Sequence, residues 1–131
     1  KSFSREQDNA INAALNYGYA ILLSAVNREI LSLGYITQLG LNHCNQFNPY
    51  NLGSDLMEPL RGFVDAVVIK SIPTEFNRDV KLSLIELLSE DVKINDTIQT
   101  FSAAIRIYCK SVFDALRNQD ASEIRFIEYE L

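Results

Sequence analysis

Apolar residues recur every three or four positions through the first third of the sequence, at Ile11, Leu15, Gly18, Leu22, Val26, Ile30 and Leu33. This spacing places all of them on one face of an α-helix. Ser4 and Asp8 are both suitable N-caps, and Gly34 is a suitable C-cap. We therefore predict a helix from Asp8 to Leu33, about 39 Å long at about 1.5 Å per residue.

Gly18 lies in the middle of this predicted helix, where glycine is less favourable than alanine by about 1 kcal/mol. A residue that weakens a helix at its centre calls for a packing reason. We expect the backbone of another segment to approach the helix closely at Gly18.

The segment from Tyr35 to Leu52 is predicted to be irregular. Residue types that favour turns punctuate it, at Asn42, Asn45, Asn48, Pro49 and Asn51. His43, the only histidine of the chain, lies in the same segment. We therefore expect the histidine to be carried on a loop.

A second helix is predicted from Ser54, a suitable N-cap, to about Ile69. Its predicted buried positions are Leu56, Leu60, Phe63 and Val67. Pro59 falls inside it, and because proline cannot donate a hydrogen bond to the Asp55 carbonyl, we expect a kink in the first turn. Pro73 marks the end of this helix or its tail.

Two further helices are predicted in the second half of the chain. The first runs from about Asn77 to Ser89 and buries Val80, Leu84, Leu87 and Leu88. The stretch from Val92 to Asp96 is predicted to be a polar turn. The last helix spans about Thr97 to Arg117, with one face formed by Ile98, Phe101, Ile105, Tyr108, Val112 and Leu116. From Asp120 to Leu131 we expect a short capped turn and an acidic end.

These elements and the composition together set the fold class. Alternation typical of strands is weak throughout, so the prediction is all-α, with four main helices, one of them long, and an irregular loop that carries the histidine. A length of 131 residues and a hydrophobic content of 47% suit one domain over residues 1–131. The net charge of −5 argues against a nonspecific nucleic-acid binder, which usually carries a basic stripe.

The two cysteines, Cys44 and Cys109, are too few for a disulfide framework. We predict that both are small reduced core residues, as is usual in a cytoplasmic protein. A zinc site at His43 and Cys44 lacks further ligands at the usual spacings. The longest apolar stretch, from Ala20 to Val26, is too short to span a membrane.

His43 and Glu58 form the leading candidate for a metal-binding pair, because an imidazole and a carboxylate together suit Mn²⁺ or Mg²⁺. Two ligands are not a complete site, and spacing alone favours a loop histidine that only hydrogen-bonds nearby backbone. Asp55 has two interpretations as well. It is either a third ligand or a support for His43, or it is a first-turn acid that interacts favourably with the helix dipole.

Arg61 follows Glu58 by three positions on the same predicted helix. Its guanidinium suits bidentate contact with a phosphate. The alternative, which spacing alone favours, is an ion pair within the helix to Glu58 or Asp65.

Three polar residues, Asn12, Asn16 and Tyr19, lie beside the buried face of the first helix. They either line a groove or, as we prefer, hydrogen-bond the irregular segment, whose buried backbone needs partners. The sequence contains no nucleophile elbow that would support Ser-His-Asp catalysis and no glycine-rich phosphate loop.

The stretch Asn16-Tyr17-Gly18-Tyr19-Ala20, taken with His43 and with the segment from Ser54 to Arg61, resembles the CRISPR adaptation integrase, the first-numbered CRISPR-associated protein. The resemblance covers most of the chain and is strongest from Ile11 to Val68. It is to the C-terminal helical domain of that family. Glutamate at position 58, where many relatives have aspartate, is similar to the type II systems.

The resemblance implies a metal-dependent DNA endonuclease and integrase that inserts new spacers into a CRISPR array. A DNA 3′-hydroxyl would attack a phosphodiester of the repeat, and Mn²⁺ or Mg²⁺ would polarise the phosphoryl oxygen. His43 and Glu58 match two metal ligands of the family, and Asp55 matches a supporting acidic position. Arg28, Arg61 and Lys70 are then candidates for contacts to DNA phosphates.

The resemblance also implies partners and missing parts. The partners are spacer-precursor DNA, the CRISPR repeat and the second-numbered CRISPR-associated protein, with a homodimer formed through an N-terminal β-domain that has no match in this sequence. The family's remaining metal ligand is a glutamate on an earlier helix, and Glu6 is too close to the start of the long helix to match it. We therefore expect a fragment that is inactive alone.

The main alternative is a helical protein-interaction module without catalysis, in which His43 and Glu58 are structural. A di-metal helix bundle is less favoured, because the sequence lacks paired Glu-x-x-His motifs.

Overall fold

The computed structural model describes residues 5–33 and 49–128. Its helices are α1 (Arg5–Ser32), α2 (Pro49–Met57), α3 (Arg61–Ser71), α4 (Arg78–Glu86) and α5 (Phe101–Asn118). Short 3₁₀ turns lie at Glu58–Leu60, Leu87–Ser89 and Ala121–Glu123, and three strands are β1 (Asp91–Ile94), β2 (Thr97–Thr100) and β3 (Ile127–Glu128). The prediction of a largely helical fold is confirmed.

The long helix α1 is the element around which the others pack, and it contacts each of α2, α3, α4 and α5. The predicted apolar face is the face that packs. Leu22 and Val26 are fully buried, while Ile11, Leu15, Ile30 and Leu33 are half-buried against the core. The core continues through fully buried side chains of the other elements, which are Leu60, Val64, Leu84, Ile94, Phe101, Ile105 and Cys109.

Gly18 is a site of close packing on α1, as its position predicts, but the prediction of a backbone neighbour was wrong. A Cβ atom at Gly18 would lie 2.4 Å from Cγ1 of Val64 on α3 and 3.2 Å from Cδ2 of Leu84 on α4. The close approach is therefore made by two side chains and not by another backbone. A methyl group at position 18 has no room unless α3 or α4 shifts.

The second predicted helix begins earlier than Ser54 and is divided in two. Helix α2 starts at Pro49, a position where proline is well tolerated because its nitrogen needs no partner in the first turn. The Ser54 N-cap is therefore wrong, and residues 49–52, predicted to be irregular, are helical. Pro59 lies in the 3₁₀ turn that separates α2 from α3, so it breaks the helix in two and does not merely kink a first turn.

The first helix begins at Arg5, before the predicted Asp8, whereas the end of α3 and the cap of α4 agree closely with the sequence. Helix α3 ends where Ile72 takes a left-handed conformation just before Pro73. Asn77 caps α4 by accepting a hydrogen bond from the Val80 N–H at 3.1 Å, and the 3₁₀ turn after α4 ends at Ser89. Of the four positions predicted to be buried there, Leu84 and Leu87 are buried, whereas Val80 and Leu88 are half-buried.

A small antiparallel sheet replaces the predicted turn at Val92–Asp96 and the predicted start of the last helix. Strand β1 pairs with β2, with Ile94 opposite Thr97, and β3 pairs with the other edge of β1. Asn95 and Asp96, both with positive φ, form the two-residue hairpin turn. Ile98, predicted to be buried on a helix, lies on β2 and is 58% exposed.

Helix α5 starts at Phe101, after Thr100 accepts a hydrogen bond from the Ala103 N–H at 3.2 Å. Four predicted positions on its face are buried, namely Phe101, Ile105, Tyr108 and Val112, whereas Leu116 is exposed. Asp120 caps the following turn, which confirms the capped turn expected there. Within residues 5–33 and 49–128, no helix is long and apolar enough to cross a membrane.

Candidate functional site

Glu58 is the first residue of the 3₁₀ turn between α2 and α3, and its side chain is 67% exposed. Its Oε2 atom lies 3.4 Å from Nε of Arg61, one turn further along the chain. The ion pair named as the alternative for Arg61 is therefore present. A break in the helix at Pro59 leaves this carboxylate at the surface, where a ligand can reach it.

Two residues from neighbouring positions in the fold complete a polar group around Arg61. The Tyr19 hydroxyl on α1 donates a hydrogen bond to Oδ1 of Asp65 on α3. The Arg61 Cζ atom lies 4.9 Å from the centroid of the Tyr19 ring, which is a cation–π contact. We call these four residues, Tyr19, Glu58, Arg61 and Asp65, the junction cluster.

The electrostatics of the junction cluster keep Tyr19 neutral. Burial, and then the hydrogen bond to Asp65, raise the pKa of Tyr19 to about 12. The phenol therefore remains a donor to Asp65 at neutral pH. Tyr19 was expected to hydrogen-bond the irregular segment, but its hydroxyl is used on α3. Asn12 and Asn16 are exposed on α1.

Arg61 is held by contacts that leave one of its atoms without a good partner. Its side chain is 44% exposed, but its Nε atom is buried and has no hydrogen-bond acceptor among the residues described. The 3.4 Å approach of Glu58 is a charge contact rather than a well-formed hydrogen bond. A buried donor in this state depends on the nearby negative charge of Glu58.

Three of the other predicted site residues are exposed, and one lies outside the described residues. Asp55 is exposed on α2, and Arg28 is exposed on α1. Lys70 is exposed on α3 and lines a cavity of about 710 Å³ between α3, α4 and β1. His43 lies outside the described residues, so its predicted pairing with Glu58 stays a prediction.

Of the two cysteines, Cys109 on α5 is fully buried and unpaired by any disulfide in the described part of the chain. Burial, and then the charge of Glu29, raise the pKa of its thiol to about 12. The prediction of a small reduced core residue is confirmed for Cys109. Cys44 lies outside the described ranges.

The described residues do not form a metal site by themselves. Among residues 5–33 and 49–128, no three His, Cys, Asp or Glu side chains come together in a way that could hold a metal ion. Glu58 nevertheless fits the role of one ligand, since it is an exposed carboxylate that already holds a cation, Arg61. Its oxygens are of the type that Mg²⁺ and Mn²⁺ prefer.

Sequence reasoning did not find the roles of Tyr19 and Asp65 in the junction cluster. They are 46 positions apart, so no local spacing indicates that they meet. The only signal was the four-residue step between Arg61 and Asp65, which made Asp65 a candidate partner of the arginine.

Comparison with known proteins identifies relatives along most of the chain. A family model described as CRISPR associated protein Cas1 matches residues 3–101. The CRISPR-associated endonuclease Cas1 of Neisseria meningitidis serogroup C is 34% identical over 133 residues, which cover 98% of this chain and 44% of the relative.

Two archaeal relatives match shorter stretches. CRISPR-associated endonuclease Cas1 1 of Pyrobaculum aerophilum is 33% identical over 88 residues, covering 62% of this chain and 29% of the relative. CRISPR-associated protein Cas1 3 of Methanobrevibacter ruminantium is 37% identical over 73 residues, covering 55% of this chain and 22% of the relative. In all three comparisons the chain spans less than half of the relative's length.

Proposed function

This chain belongs to the Cas1 family of CRISPR-associated proteins, and from that premise we propose that it is the helical catalytic part of a metal-dependent DNA endonuclease and integrase. The reaction would insert new spacers into a CRISPR array. The observation that carries the proposal is the exposed carboxylate of Glu58, which lies at a helix break beside an arginine and inside the matched residues.

We propose that Glu58 and His43 hold Mn²⁺ or Mg²⁺ and that Asp55 supports them. The bound ion would polarise a phosphoryl oxygen and stabilise the charge that develops on it. Glu58 would contribute a carboxylate oxygen. Its backbone lies in a short 3₁₀ turn that Pro59 restricts, so the side chain starts from a fixed position and not from a long flexible segment. Arg61 would neutralise charge on the phosphate next to the ion.

The substrates we propose are spacer-precursor DNA and the CRISPR repeat, with the second-numbered CRISPR-associated protein as partner and a homodimer formed by a further domain. Three exposed or half-exposed cations, Arg28, Arg61 and Lys70, are the proposed phosphate contacts. The net charge of −5 favours weak binding of duplex DNA by the 131-residue polypeptide alone. Because such binding would rest on phosphate contacts, we expect it to depend steeply on salt. Tight binding that salt does not weaken would contradict this.

We expect the 131-residue polypeptide to be inactive alone, because the glutamate that the family resemblance implies as a further ligand has no match before His43. Robust metal-dependent cleavage by the purified polypeptide would overturn that expectation.

The test of the function is a spacer-integration assay on the full natural protein with its partner and with Mn²⁺ or Mg²⁺. His43→Ala and Glu58→Ala should each lower the rate by about 100-fold or more, since a metal ion supplies several kcal/mol of transition-state stabilisation. Glu75→Ala removes another exposed carboxylate, outside the junction cluster, and should leave the rate unchanged.

The possible outcomes separate the proposals. Loss in both site variants, with their folding intact by circular dichroism, supports the two ligands. Unchanged activity in both would place the metal site elsewhere. No integration by the unmodified protein under either metal would favour the alternative, a helical interaction module.

A further inference from the structure

Arg61 is in contact with two members of the junction cluster at once, the carboxylate of Glu58 and the ring of Tyr19. We propose that Arg61 is the resident counter-ion of Glu58, which competes with a divalent cation for the carboxylate, and that Tyr19 is the positioning residue that holds its guanidinium there. This inference rests on the proposed function, since it takes Glu58 as a metal ligand.

The contact between Arg61 and Glu58 has the properties of an exchangeable pair. Among the residues that the structure describes, a single oxygen of the Glu58 carboxylate has a cationic partner, Nε of Arg61 at 3.4 Å, and two thirds of the side chain is open to solvent. A divalent ion can therefore approach Glu58 from the solvent side. Because Arg61 already neutralises this carboxylate, a second cation gains less from it than it would from a carboxylate that has no partner.

The contact between Arg61 and Tyr19 is not exchangeable in the same way. The Tyr19 ring lies under the guanidinium, and the Tyr19 hydroxyl is tied to Asp65 on α3. The pKa of Tyr19, raised to about 12, keeps that hydroxyl protonated over the physiological range. The hydrogen bond to Asp65 thus holds the Tyr19 ring in place under Arg61, whether or not a metal ion is bound to Glu58.

A consequence follows for the order of binding. If a divalent ion bound Glu58, Arg61 would lose its ion pair with this carboxylate and would keep its contact with the Tyr19 ring. Its positive charge then needs a new partner, and a DNA phosphate beside the metal supplies one. Metal binding and phosphate binding would therefore strengthen each other, as two linked equilibria must do reciprocally.

The experiment is isothermal titration of the full natural protein with MnCl₂, without DNA. Arg61→Gln should bind Mn²⁺ about two- to fivefold more tightly, the range expected for loss of one exposed ion pair. Tyr19→Leu should also tighten binding, and it should have no further effect in the Arg61→Gln background, since it acts through Arg61. General damage to the site would weaken binding, so the direction of the change distinguishes competition from a structural role.

Arg106→Gln is the charge-matched control, because Arg106 on α5 pairs with Glu29 on α1 at 3.3 Å, outside the junction cluster, and its loss changes the net charge equally. It should leave Mn²⁺ affinity unchanged. Glu58→Gln should reduce Mn²⁺ affinity more than any other variant.

The outcomes keep this inference apart from the proposed function. Mn²⁺ binding that survives Glu58→Gln, or no binding by the unmodified protein, overturns both. Binding that depends on Glu58 but is unchanged or weaker in Arg61→Gln and Tyr19→Leu leaves the proposed function standing and overturns the competition.

Discussion

The core contact at Gly18 and the hydrogen bond of the junction cluster are formed by adjacent residues on the same two helices, α1 and α3, yet they differ in burial and polarity. Gly18 on α1 packs against Val64 on α3, and the next residue on each helix, Tyr19 and Asp65, forms the hydrogen bond of the cluster. The first pair is buried and tolerates no added atom. The second pair is part-buried and polar, and it leads directly to the exposed Arg61 and Glu58.

This difference indicates that the core positions the cluster. The close contact at Gly18 brings α1 and α3 together at the position next to the hydrogen bond between Tyr19 and Asp65. Burial supplies most of the stability, at roughly 25 cal/mol per Å² of apolar surface, whereas an exposed ion pair contributes about 0–1 kcal/mol. Substitutions in the core should therefore change stability, and substitutions in the cluster should change ligand affinity.

The largest stability effect is expected at Gly18. Gly18→Ala places Cβ 2.4 Å from a β-branched neighbour, Val64, whose side chain is stiff, so α1 and α3 must separate. Overpacking costs about 1–3 kcal/mol, and the better helix propensity of alanine offsets up to about 1 kcal/mol of it. We expect the free energy of unfolding in urea to fall by about 1–2 kcal/mol.

Gly53 on α2 is the matched control. A Cβ there would meet the Asn27 side-chain oxygen at 2.1 Å, but this atom ends a side chain that can rotate away. Gly53→Ala should change the free energy of unfolding by no more than about 0.5 kcal/mol or should raise it. Equal effects of the two substitutions would show that close packing at Gly18 does not define the core.

The helices were predictable because their periodicity extends over many residues, and the sheet was not because its strands are short. Val92 and Ile94 alternate over only four positions, which is too few to distinguish a strand from a turn. Ile98 precedes Phe101 by three residues and so fits a helical face as well. The Asn95-Asp96 pair that was interpreted as a turn is in fact the hairpin turn.

The site was predictable only where its partners are local. The ion pair between Glu58 and Arg61 follows from their three-residue step, and it was named as the alternative to a phosphate contact. The hydrogen bond from Tyr19 to Asp65 depends on how α1 packs against α3, and no local pattern encodes that packing.

A smaller stability effect is expected at Tyr108, whose buried hydroxyl joins the core to the segment that carries Glu58. It donates a hydrogen bond to the Leu56 carbonyl at 2.9 Å, and Tyr108→Phe should lower the free energy of unfolding by about 1 kcal/mol. Tyr17→Phe, on a half-buried tyrosine that packs against Phe76, should have a smaller effect.

Tyr108→Phe should also change the pH dependence of stability. Burial raises the pKa of Tyr108 from 10.0 to about 12 in the folded protein. Below pH 10 both states keep the proton, and between pH 10 and 12 the unfolded chain releases it more readily, so stability falls as pH rises. Chemical denaturation across this window should show a shallower fall in Tyr108→Phe. An identical slope would mean that the native hydroxyl titrates normally.

The smallest stability effect is expected at Arg61, although its effect on Mn²⁺ affinity should be readily measured. Arg61→Gln removes an exposed ion pair and a cation–π contact, which are each worth about 0.5–1 kcal/mol at most in such positions. It also removes the buried Nε atom that has no hydrogen-bond acceptor in the described structure. Because such an atom destabilises the folded state, its removal offsets part of the stability lost with the two contacts. The free energy of unfolding in urea should therefore change by less than about 1 kcal/mol. A loss comparable to that of Gly18→Ala would mean that the junction cluster stabilises the fold as the core does. The contrast between a core that sets stability and a cluster that sets ligand affinity would then be wrong.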